Sequence, residues 1–517
     1  MPVQPPSSSD LQRIAASLGM PLQEEELEQY TALAGGLVAS YGRVDEMDAP
    51  PRPVKYPRID TGHRPLGDEN PCNGWAWKCS IPGAPEGPLS GVRVAVKDNI
   101  CLAGIPMLNG TEMLEGFIPR EDATVVTRLL DAGAEIVGKT AVPAFCFDGG
   151  HATGYPHPYP VNPHDPSRMP GSSSSGSAVV VALGEADMAL GGDQGGSIRM
   201  PSSWSGTVGH KPTWGLVPYT GAFPIELTLD HLGPMARSVR DCARMLEVIA
   251  GDDGLDPRWS GGTVAAYVQE LERGADGLRV GILTEGFDWP DASEPDVDEA
   301  VRAAAASFES LGATVGEVSV PVHRDGLAIW NAIAVEGATE LMVKGNAMGT
   351  NWRGHYTTDL LDFYGRARAA RSADYSPTVK LTMLVGEYMA QRYNRHYYAK
   401  GQNLSRIARA QYDEALDRYD VLVMPTTAMK ALKQPARDAS IPEVIASALA
   451  NLHNTAVFDA TGHPALSVPC GFSQGLPVGM MLVGRHDDDA TVLRAGHAYE
   501  EARGGLPAPG GRAMAAA

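Results

Sequence analysis

Two serine- and glycine-rich loops contain the residues of this sequence best suited to catalysis. Residues 171–177 read GSSSSGS and residues 191–197 read GGDQGGS, and apolar segments flank both loops. This interleaving disfavours a flexible linker, which would be continuously polar. Gly195 and Gly196 let a ligand approach the backbone closely, and Ser197 opens a predicted helix, where developing negative charge is stabilised. The second loop therefore predicts a nucleophilic serine beside an anion hole.

A serine that attacks an amide also needs a base, and Lys97 is the candidate. It directly follows the strand-like run VRVAV at residues 92–96. A lysine acts as a base only when burial or nearby positive charge lowers its pKa. The end of an apolar strand meets that requirement. We expect no GxSxG nucleophile elbow, the strand-to-helix turn that would favour a Ser-His-Asp site instead.

Residues 133–140, GAEIVGKT, match the phosphate-binding pattern GxxxxGK[ST]. The context disagrees with that pattern, because a helix-like run precedes it, its interior is strand-like and Pro143 disfavours a helix after Thr140. We interpret the segment as a helix, a turn and a strand, with Lys139 solvated or packed locally. The nucleotide-binding alternative predicts magnesium-dependent binding of ATP or GTP through Lys139.

Three histidines, His151, His157 and His164, lie in one loop rich in Pro, Gly and Tyr. Their spacing matches no common metal site. We interpret them as polar loop residues and predict no metal.

The composition excludes other classes of protein. The 517 residues include 42 Lys and Arg against 62 Asp and Glu, a formal net charge of −20. Such a chain lacks the basic footprint of a nucleic-acid-binding protein. A hydrophobic fraction of 43% and a charged fraction of 20% are typical of a globular protein.

We expect a cytoplasmic protein with no membrane segment. The longest apolar runs, such as residues 178–183, are far shorter than the roughly 18 residues that cross a bilayer. The first ten residues, MPVQPPSSSD, lack the basic and apolar regions of a signal peptide. The six cysteines form no CxxC pair and predict reduced thiols; they are Cys72, Cys79, Cys101, Cys146, Cys242 and Cys470.

Strand-like and helix-like segments alternate along the chain and predict an α/β fold with a central sheet. The predicted strands are residues 92–96, 135–137, 188–190, 278–283, 315–320, 419–424, 465–468 and 478–483. The predicted helices between them are residues 123–130, 177–183, 239–250 and 297–311.

The segments outside this alternation define the domain organisation. Two helical patterns come first, and residues 49–90, rich in Pro and Gly, predict an extended connector. Strand signals nearly vanish in residues 324–418, which predicts a helical insertion. The predicted organisation is an N-terminal helical segment with its connector at 1–90, an α/β domain at 91–323 and 419–503, the insertion at 324–418, and a flexible tail at 504–517.

With these motifs, the sequence resembles the amidase signature family of serine hydrolases, and within it the bacterial enantioselective amidases of nitrile metabolism. The resemblance covers nearly the whole chain, including the segment DATGHP at residues 459–464. It implies the amidase-signature fold, a central mixed β-sheet covered by helices. It also implies an enzyme without cofactor. The N-terminal helices resemble a dimerisation element, so we expect a homodimer.

The resemblance assigns catalytic roles to three residues. It makes Lys97 the catalytic lysine, Ser173 the bridging serine on a cis peptide and Ser197 the nucleophile. Ser172 and Ser175 stand where glycines are common in the family. The expected relay takes a proton from Ser197 through Ser173 to Lys97 and later returns it to the departing amine.

The resemblance also implies residues around the nucleophile. Backbone N–H groups are expected to hold the tetrahedral oxyanion, namely those of Gln194, Gly195, Gly196 and Ser197. Asp193 and Arg199 are interpreted as a supporting ion pair, with a substrate-carboxylate role for Arg199 as the alternative. The implied acyl pocket suits aromatic or branched apolar groups; its residues are Phe147, Leu229, Trp330, Leu449 and Leu452.

The predicted activity is hydrolysis of carboxamides to an acid and ammonia or an amine, through a covalent acyl-enzyme. Hydrazides, carbamates, anilides and esters would react by the same mechanism, and the motifs do not separate these leaving groups. A glutamine-amidase component of a tRNA amidotransferase is an alternative that the acidic balance and the apolar pocket disfavour. A non-catalytic scaffold is a further alternative, although all three catalytic positions hold the expected residue types.

Overall fold

The computed structural model describes residues 3–349, 353–507 and 509. Most of the predicted tail therefore lies outside the described residues. The chain divides into two compact units, Met1–Pro53 and Val54–Ala517. The first unit contains the two helices that its apolar spacing predicts, α1 (Ser8–Ser17) and α2 (Glu24–Asp45). The Ser7 side chain caps the start of α1 by accepting a hydrogen bond from the backbone of Asp10, which satisfies one of the free N–H groups there.

The second unit is built on one twelve-stranded sheet. The strands are β1 (Asp60–His63), β2 (Trp75–Pro82), β3 (Arg93–Lys97), β4 (Glu135–Thr140), β5 (Met188–Asp193), β6 (Val208–Lys211), β7 (His231–Ala236), β8 (Arg279–Leu283), β9 (Thr314–Val318), β10 (Val421–Pro425), β11 (Ala465–Ser473) and β12 (Leu476–Val483). Their spatial order is β1-β2-β4-β3-β5-β7-β6-β11-β12-β10-β8-β9. Parallel and antiparallel pairs both occur, so the predicted mixed α/β fold is confirmed.

Thirteen α-helices of the described residues belong to the second unit. They are α3 (Thr124–Asp131), α4 (Ser175–Ala182), α5 (Arg199–Ser205), α6 (Val239–Ile249), α7 (Tyr267–Leu271), α8 (Pro295–Ser307), α9 (Gly326–Ala338), α10 (Thr358–Arg371), α11 (Pro377–Tyr393), α12 (His396–Arg418), α13 (Ile441–Leu449), α14 (Ala456–Thr461) and α15 (Asp489–Arg503). No helix within the described ranges is both long and apolar enough to cross a bilayer.

All eight predicted strands are present, but the sheet contains four more that the sequence did not predict. Two of them, β1 and β2, lie within the stretch predicted as an extended connector. Strand β2 pairs with β4 and buries Trp75 in a core cluster with residues of α4, so this stretch is partly sheet. Its Pro and Gly content hid the strand signal, because these residues mark turns more strongly than the aromatic residues mark a strand.

Strands β3 and β5 place the two serine loops beside Lys97. They are parallel neighbours, with Val96 opposite Leu190, and β3 also pairs in parallel with β4. The carboxyl ends of parallel neighbours meet at the same edge of a sheet. Lys97, the last residue of β3, therefore lies beside the loop that follows β5.

The segment that matches the phosphate-binding pattern forms the predicted helix, turn and strand. It joins α3 to β4 and has no helix directly after Thr140. The Lys139 side chain is fully buried, with its Nζ 2.9 Å from Asp98 Oδ1. Burial raises the pKa of Asp98, and the Lys139 ammonium opposes that rise. Lys139 is thus packed locally rather than solvated, and it has no exposed surface with which to bind a phosphate.

Replacement of Lys139 tests this structural role. Lys139→Met leaves the Asp98 carboxylate buried without its cation, so we expect the free energy of unfolding to fall by about 3–5 kcal/mol. Urea denaturation measures the change. The double variant Asp98→Asn/Lys139→Met removes both charges and is expected to recover most of the loss. A single variant as stable as the unmodified protein would contradict the role.

Candidate active site

Lys97, Ser173 and Ser197 come together at the carboxyl end of β3. Lys97 is fully buried, and its Nζ donates to Ser173 Oγ at 2.8 Å and to the Gly192 carbonyl oxygen at 2.9 Å. The peptide bond between Ser172 and Ser173 is cis. The backbone N–H after Ser173 donates to the Ser197 carbonyl oxygen at 3.2 Å, which joins the two serine loops.

Burial controls the charge of Lys97. It lowers the pKa of the ammonium, against the opposing effects of Cys146 and the Asp193 carboxylate. The two hydrogen-bond partners of Nζ, a hydroxyl and a carbonyl, carry no formal charge. Without a directly bonded carboxylate, burial shifts the equilibrium of Lys97 toward the neutral amine compared with an exposed lysine. The neutral amine can accept a proton from Ser173.

Cys146 is a neighbour of the site that sequence reasoning missed. Its thiol opposes the lowering of the Lys97 pKa, is in hydrogen-bond contact with Ser173, and donates to Asn109 Oδ1 at 3.2 Å. Burial raises the pKa of the thiol, so it is protonated. No motif in the sequence marks Cys146, which ends a single 3-10 turn (Ala144–Cys146) after β4.

Side chains from distant segments orient the carbonyl groups of the loop after β5. The Trp330 indole donates to the Gln194 carbonyl oxygen at 2.6 Å. The Thr455 hydroxyl donates to the Gly195 carbonyl oxygen, also at 2.6 Å. Because these two carbonyl oxygens are bonded on one side of the loop, its N–H groups can point to the opposite side.

The N–H groups of this loop divide into two sets. Gly196 donates to Asp193 Oδ1 at 2.5 Å, so this N–H is engaged within the protein. The N–H groups of Gln194, Gly195 and Ser197 donate to no atom within the described residues. The structure therefore leaves three of the four expected oxyanion donors free.

Arg199 holds Asp193 in place from inside the protein. Both side chains are fully buried, and Arg199 Nε lies 3.0 Å from Asp193 Oδ2. Burial raises the pKa of Asp193, but the Arg199 guanidinium outweighs it and holds this pKa below its ordinary value. Asp193 also accepts from the backbone of Ile198 at 3.1 Å. The geometry favours loop support for Arg199 over contact with a substrate carboxylate.

Three further charged or polar residues extend this pair. Arg199 Nη2 lies 2.7 Å from Asp459 Oδ2, across a sequence separation of 260 residues. His231 Nδ1 lies 3.4 Å from Asp459 Oδ1, and Lys211 Nζ lies 3.3 Å from His231 Nε2. Burial lowers the pKa of Lys211 to about 8. Asp459 begins the DATGHP segment, but no spacing in the sequence links it to Arg199.

A cavity beside Ser197, here called the Ser197 cavity, contains all five predicted pocket residues. Its wall is mainly apolar, as a site for an apolar acyl group requires. The lining residues are Cys146, Phe147, Asp148, Gly149, Gln194, Gly195, Ser197, Met200, Ile225, Leu229, Trp330, Ala334, Leu449 and Leu452. These residues come from segments spread over 300 positions of sequence, which only the fold brings together.

The pattern GxSxG does occur in the chain, as GFSQG at residues 471–475, but it forms no nucleophile elbow. An elbow turns from a strand into a helix, whereas this segment joins the antiparallel strands β11 and β12. Its serine, Ser473, donates to the Asp296 carboxylate. The pattern is therefore part of a hairpin and offers no second nucleophile.

The three loop histidines each have a different environment. His151 is buried, and its Nδ1 lies 2.7 Å from Ser175 Oγ. His164 Nε2 lies 3.1 Å from the Ser205 carbonyl oxygen. His157 packs on the Tyr159 ring and lines a cavity of about 1150 Å³, whose described walls include none of the predicted site residues.

Comparison with known proteins identifies the family. A family model described as Amidase matches residues 76–493. The chain belongs to the amidase family. It is 45% identical over 513 residues to an enantioselective amidase of Rhodococcus rhodochrous, covering 98% of this chain and 97% of the relative. It is therefore an amide-hydrolysing enzyme, and the predicted family is confirmed.

Other amidase relatives are more distant. A glutamyl-tRNA(Gln) amidotransferase component of Methanosarcina acetivorans is 37% identical over 424 residues, covering 80% of this chain and 85% of the relative. The structure of a peptide amidase from Stenotrophomonas maltophilia matches with a TM-score of 0.66 and 28% identity, covering 82% of this chain and 85% of the other. A bacterial aryl acylamidase matches with a TM-score of 0.68 and 26% identity, covering 81% and 84%. The amidase-signature fold is thus confirmed.

Proposed function

We propose that this enzyme hydrolyses carboxamides with aromatic or branched apolar acyl groups through an acyl intermediate on Ser197. Ser197 Oγ attacks the amide carbon, the C–N bond breaks, and water then cleaves the ester to release the acid. The observation that carries the proposal is the hydrogen bond from the fully buried Lys97 Nζ to Ser173 Oγ.

Lys97 and Ser173 act in this proposal as a proton relay. Neutral Lys97 accepts the Ser173 proton while Ser173 accepts the proton that Ser197 loses on attack. The same path returns a proton to the departing nitrogen, which leaves as ammonia or an amine. The lowered pKa of Lys97 supports this role, because it makes the neutral base available closer to neutral pH.

The free N–H groups of Gln194, Gly195 and Ser197 form the proposed oxyanion hole. Each donor of this kind contributes on the order of 3 kcal/mol to a transition state of acyl transfer. Asp193 and Arg199 support the loop without contacting the substrate. The Gly196 N–H, bound to Asp193, helps to fix the loop rather than to hold the oxyanion.

The Ser197 cavity supports an apolar acyl specificity. Phe147, Leu229 and Trp330 line it together with two leucines near residue 450, which favours aromatic or branched groups. Hydrazides, carbamates, anilides and esters remain chemically competent for the same acyl-enzyme mechanism. A glutamine-amidase role on tRNA is disfavoured by the net charge of −20 and by the apolar wall.

We propose that the enzyme is a homodimer joined through α2. One face of this helix carries an apolar stripe that the rest of the N-terminal unit leaves uncovered. The stripe comprises Tyr30, Leu33, Leu37, Tyr41 and Val44, which are 53–73% exposed. A spacing of three or four residues places all five on one helical face, suited to pairing with its copy.

We place the enzyme in the cytoplasm. Support comes from its six cysteines, which are all free thiols in the structure. Free buried thiols are typical of a reducing compartment.

Ser197 is tested by its replacement with alanine. Ser197→Ala is expected to lower kcat on a primary amide such as benzamide by at least about 10³-fold, because the acyl-enzyme cannot form. Initial rates on a benzamide, aliphatic amide, anilide, hydrazide, carbamate and ester panel measure the effect and rank the leaving groups. Ser202→Ala is the matched control, since this buried hydroxyl has no hydrogen-bond partner among the described residues. Equal losses in both variants would argue against the assignment.

The pH profile tests Lys97. A lysine loses its proton as pH rises, so kcat/KM is expected to increase with pH and to level off above the Lys97 pKa. Because burial lowers this pKa, the midpoint should lie below the ordinary lysine value of about 10.4. Lys97→Met should reduce the rate and abolish this rise of kcat/KM with pH. If the variant shows the same rise of kcat/KM with pH, the rise belongs to another titrating group.

The dimer proposal predicts a mass near twice the 54.7 kDa of the chain in light scattering. Leu33→Glu/Leu37→Glu places two charges in the apolar stripe and should yield monomers. Ala32→Glu/Ala39→Glu adds the same charges outside the stripe and should stay dimeric. A monomeric unmodified protein would refute the proposal, as would a stripe variant that stays dimeric.

A further inference from the structure

Three polar neighbours surround the amino group of Lys97. Nζ lies 2.8 Å from Ser173 Oγ and 2.9 Å from the Gly192 carbonyl oxygen. The third neighbour is the thiol of Cys146, which is in hydrogen-bond contact with both Lys97 and Ser173. An ammonium has three N–H groups for these three neighbours, whereas the neutral amine has two N–H groups and one lone pair. The neighbour that faces the lone pair decides whether Lys97 can act as a base.

The proton of the Cys146 thiol is directed at Asn109. Sγ donates to Asn109 Oδ1 at 3.2 Å, and both residues are buried. Burial raises the pKa of the thiol, so it keeps its single proton. A thiol that donates to Asn109 can only accept from its other neighbours. The sulfur can therefore take an N–H of Lys97 but cannot donate to its lone pair.

Backbone contacts hold Asn109 and Cys146 in this arrangement. The Asn109 carbonyl oxygen accepts from the backbone N–H of Phe145, the residue before Cys146, at 2.9 Å. The Asn109 N–H donates to Asp98 Oδ2, also at 2.9 Å, and the other oxygen of this carboxylate pairs with Lys139. The buried lysine of the phosphate-binding pattern thus holds the carboxylate that fixes the partner of the thiol.

We propose that the Cys146 thiol is a positioning group that directs the lone pair of neutral Lys97 at the Ser173 hydroxyl. The inference rests on the proposed function, in which Lys97 is the base. The Gly192 carbonyl oxygen accepts only, and the sulfur accepts only while Asn109 holds its proton. These two neighbours take the two N–H groups of the amine. The lone pair is left to Ser173, whose hydroxyl alone among the three neighbours has a proton to give.

Replacement of Cys146 by alanine tests this role. Without the sulfur, one N–H of neutral Lys97 loses its acceptor and the lone pair loses its direction. We expect kcat on benzamide to fall roughly 10- to 100-fold, the effect of a slightly misplaced catalytic group. The thiol also raises the pKa of Lys97, as do the Asp193 and Asp230 carboxylates, which the variant keeps. Loss of the thiol should therefore move the rise of kcat/KM to lower pH, which a role in packing alone would not do.

Two further variants serve as controls for the alanine replacement. Cys146→Ser restores a group that can donate to Asn109 and accept from Lys97, so it should recover kcat to within about fivefold of the unmodified enzyme. Cys242→Ala removes another buried thiol, which contacts the carbonyl oxygens of Val208 and Pro234, and should change neither kcat nor the pH midpoint. Circular dichroism and thermal unfolding establish that each variant is folded.

Asn109→Gly tests the direction of the thiol proton. Asn109 has a left-handed backbone with φ of 46°, which glycine adopts without strain. Without its acceptor, the thiol can donate to the Lys97 lone pair and compete with Ser173, so kcat should fall here as well. The double variant Asn109→Gly/Cys146→Ala should lose no more than Cys146→Ala alone, because Asn109 acts through the thiol. Additive losses would contradict the inference.

Other results would also overturn the inference. An unchanged kcat and pH midpoint in Cys146→Ala would show that the thiol does not direct the base. A lower kcat at an unchanged midpoint, or equal losses in Cys242→Ala, would show an effect of packing. Failure of the proposed function is distinguishable, because Lys97→Met would then keep the rise of kcat/KM with pH.

Discussion

Removal of Lys97 from water is the physical condition on which the site depends. Lys97 and Lys139 are both fully buried on the neighbouring strands β3 and β4, yet their partners differ. Lys139 faces the Asp98 carboxylate at 2.9 Å, whereas Lys97 Nζ donates to a hydroxyl and a carbonyl, has the Cys146 thiol beside it, and forms no direct bond to a carboxylate of the described residues. Charge neutralisation suits a structural cation, while its absence destabilises the ammonium of a base. In our proposal, two equally buried lysines thus differ in function, one structural and one a base, because of this difference in partner.

Contacts from distant parts of the fold fix the orientation of the loop after β5. Its carbonyl groups accept from Trp330 and Thr455, and its Gly196 N–H donates to Asp193. Asp193 is in turn held by Arg199, which also reaches Asp459. Each contact removes one alternative orientation of the loop. Donors that are oriented before the substrate arrives need no rearrangement when negative charge develops, and we propose that the free N–H groups of this loop act in this way.

Strands could be predicted from the sequence where the residues of one segment are enough to identify the strand. The parallel strands around Lys97 are short apolar runs bounded by helices, and all were predicted. Strands β6 and β7 were missed because they are buried on both faces and show no alternation. Pro234 in β7 also lies in the interior of the sheet, where sequence rules place proline only at edges.

The same distinction applies to the candidate site: residues within one segment could be predicted, and contacts between distant segments could not. The two serine loops and Lys97 could be recognised from their own residues and the family resemblance, and the five pocket residues line one cavity. The link between Arg199 and Asp459 could not, since only the folded sheet brings together residues 260 positions apart.

In our proposal the two halves of a carboxamide meet different kinds of wall in this enzyme. The acyl half faces apolar side chains, whose attraction is non-directional and tolerates related shapes. The scissile carbonyl faces the backbone N–H groups of Gln194, Gly195 and Ser197, which donate only to an acceptor at a defined position. These N–H groups therefore fix where the reacting carbonyl lies, whereas the apolar wall sets the range of acids.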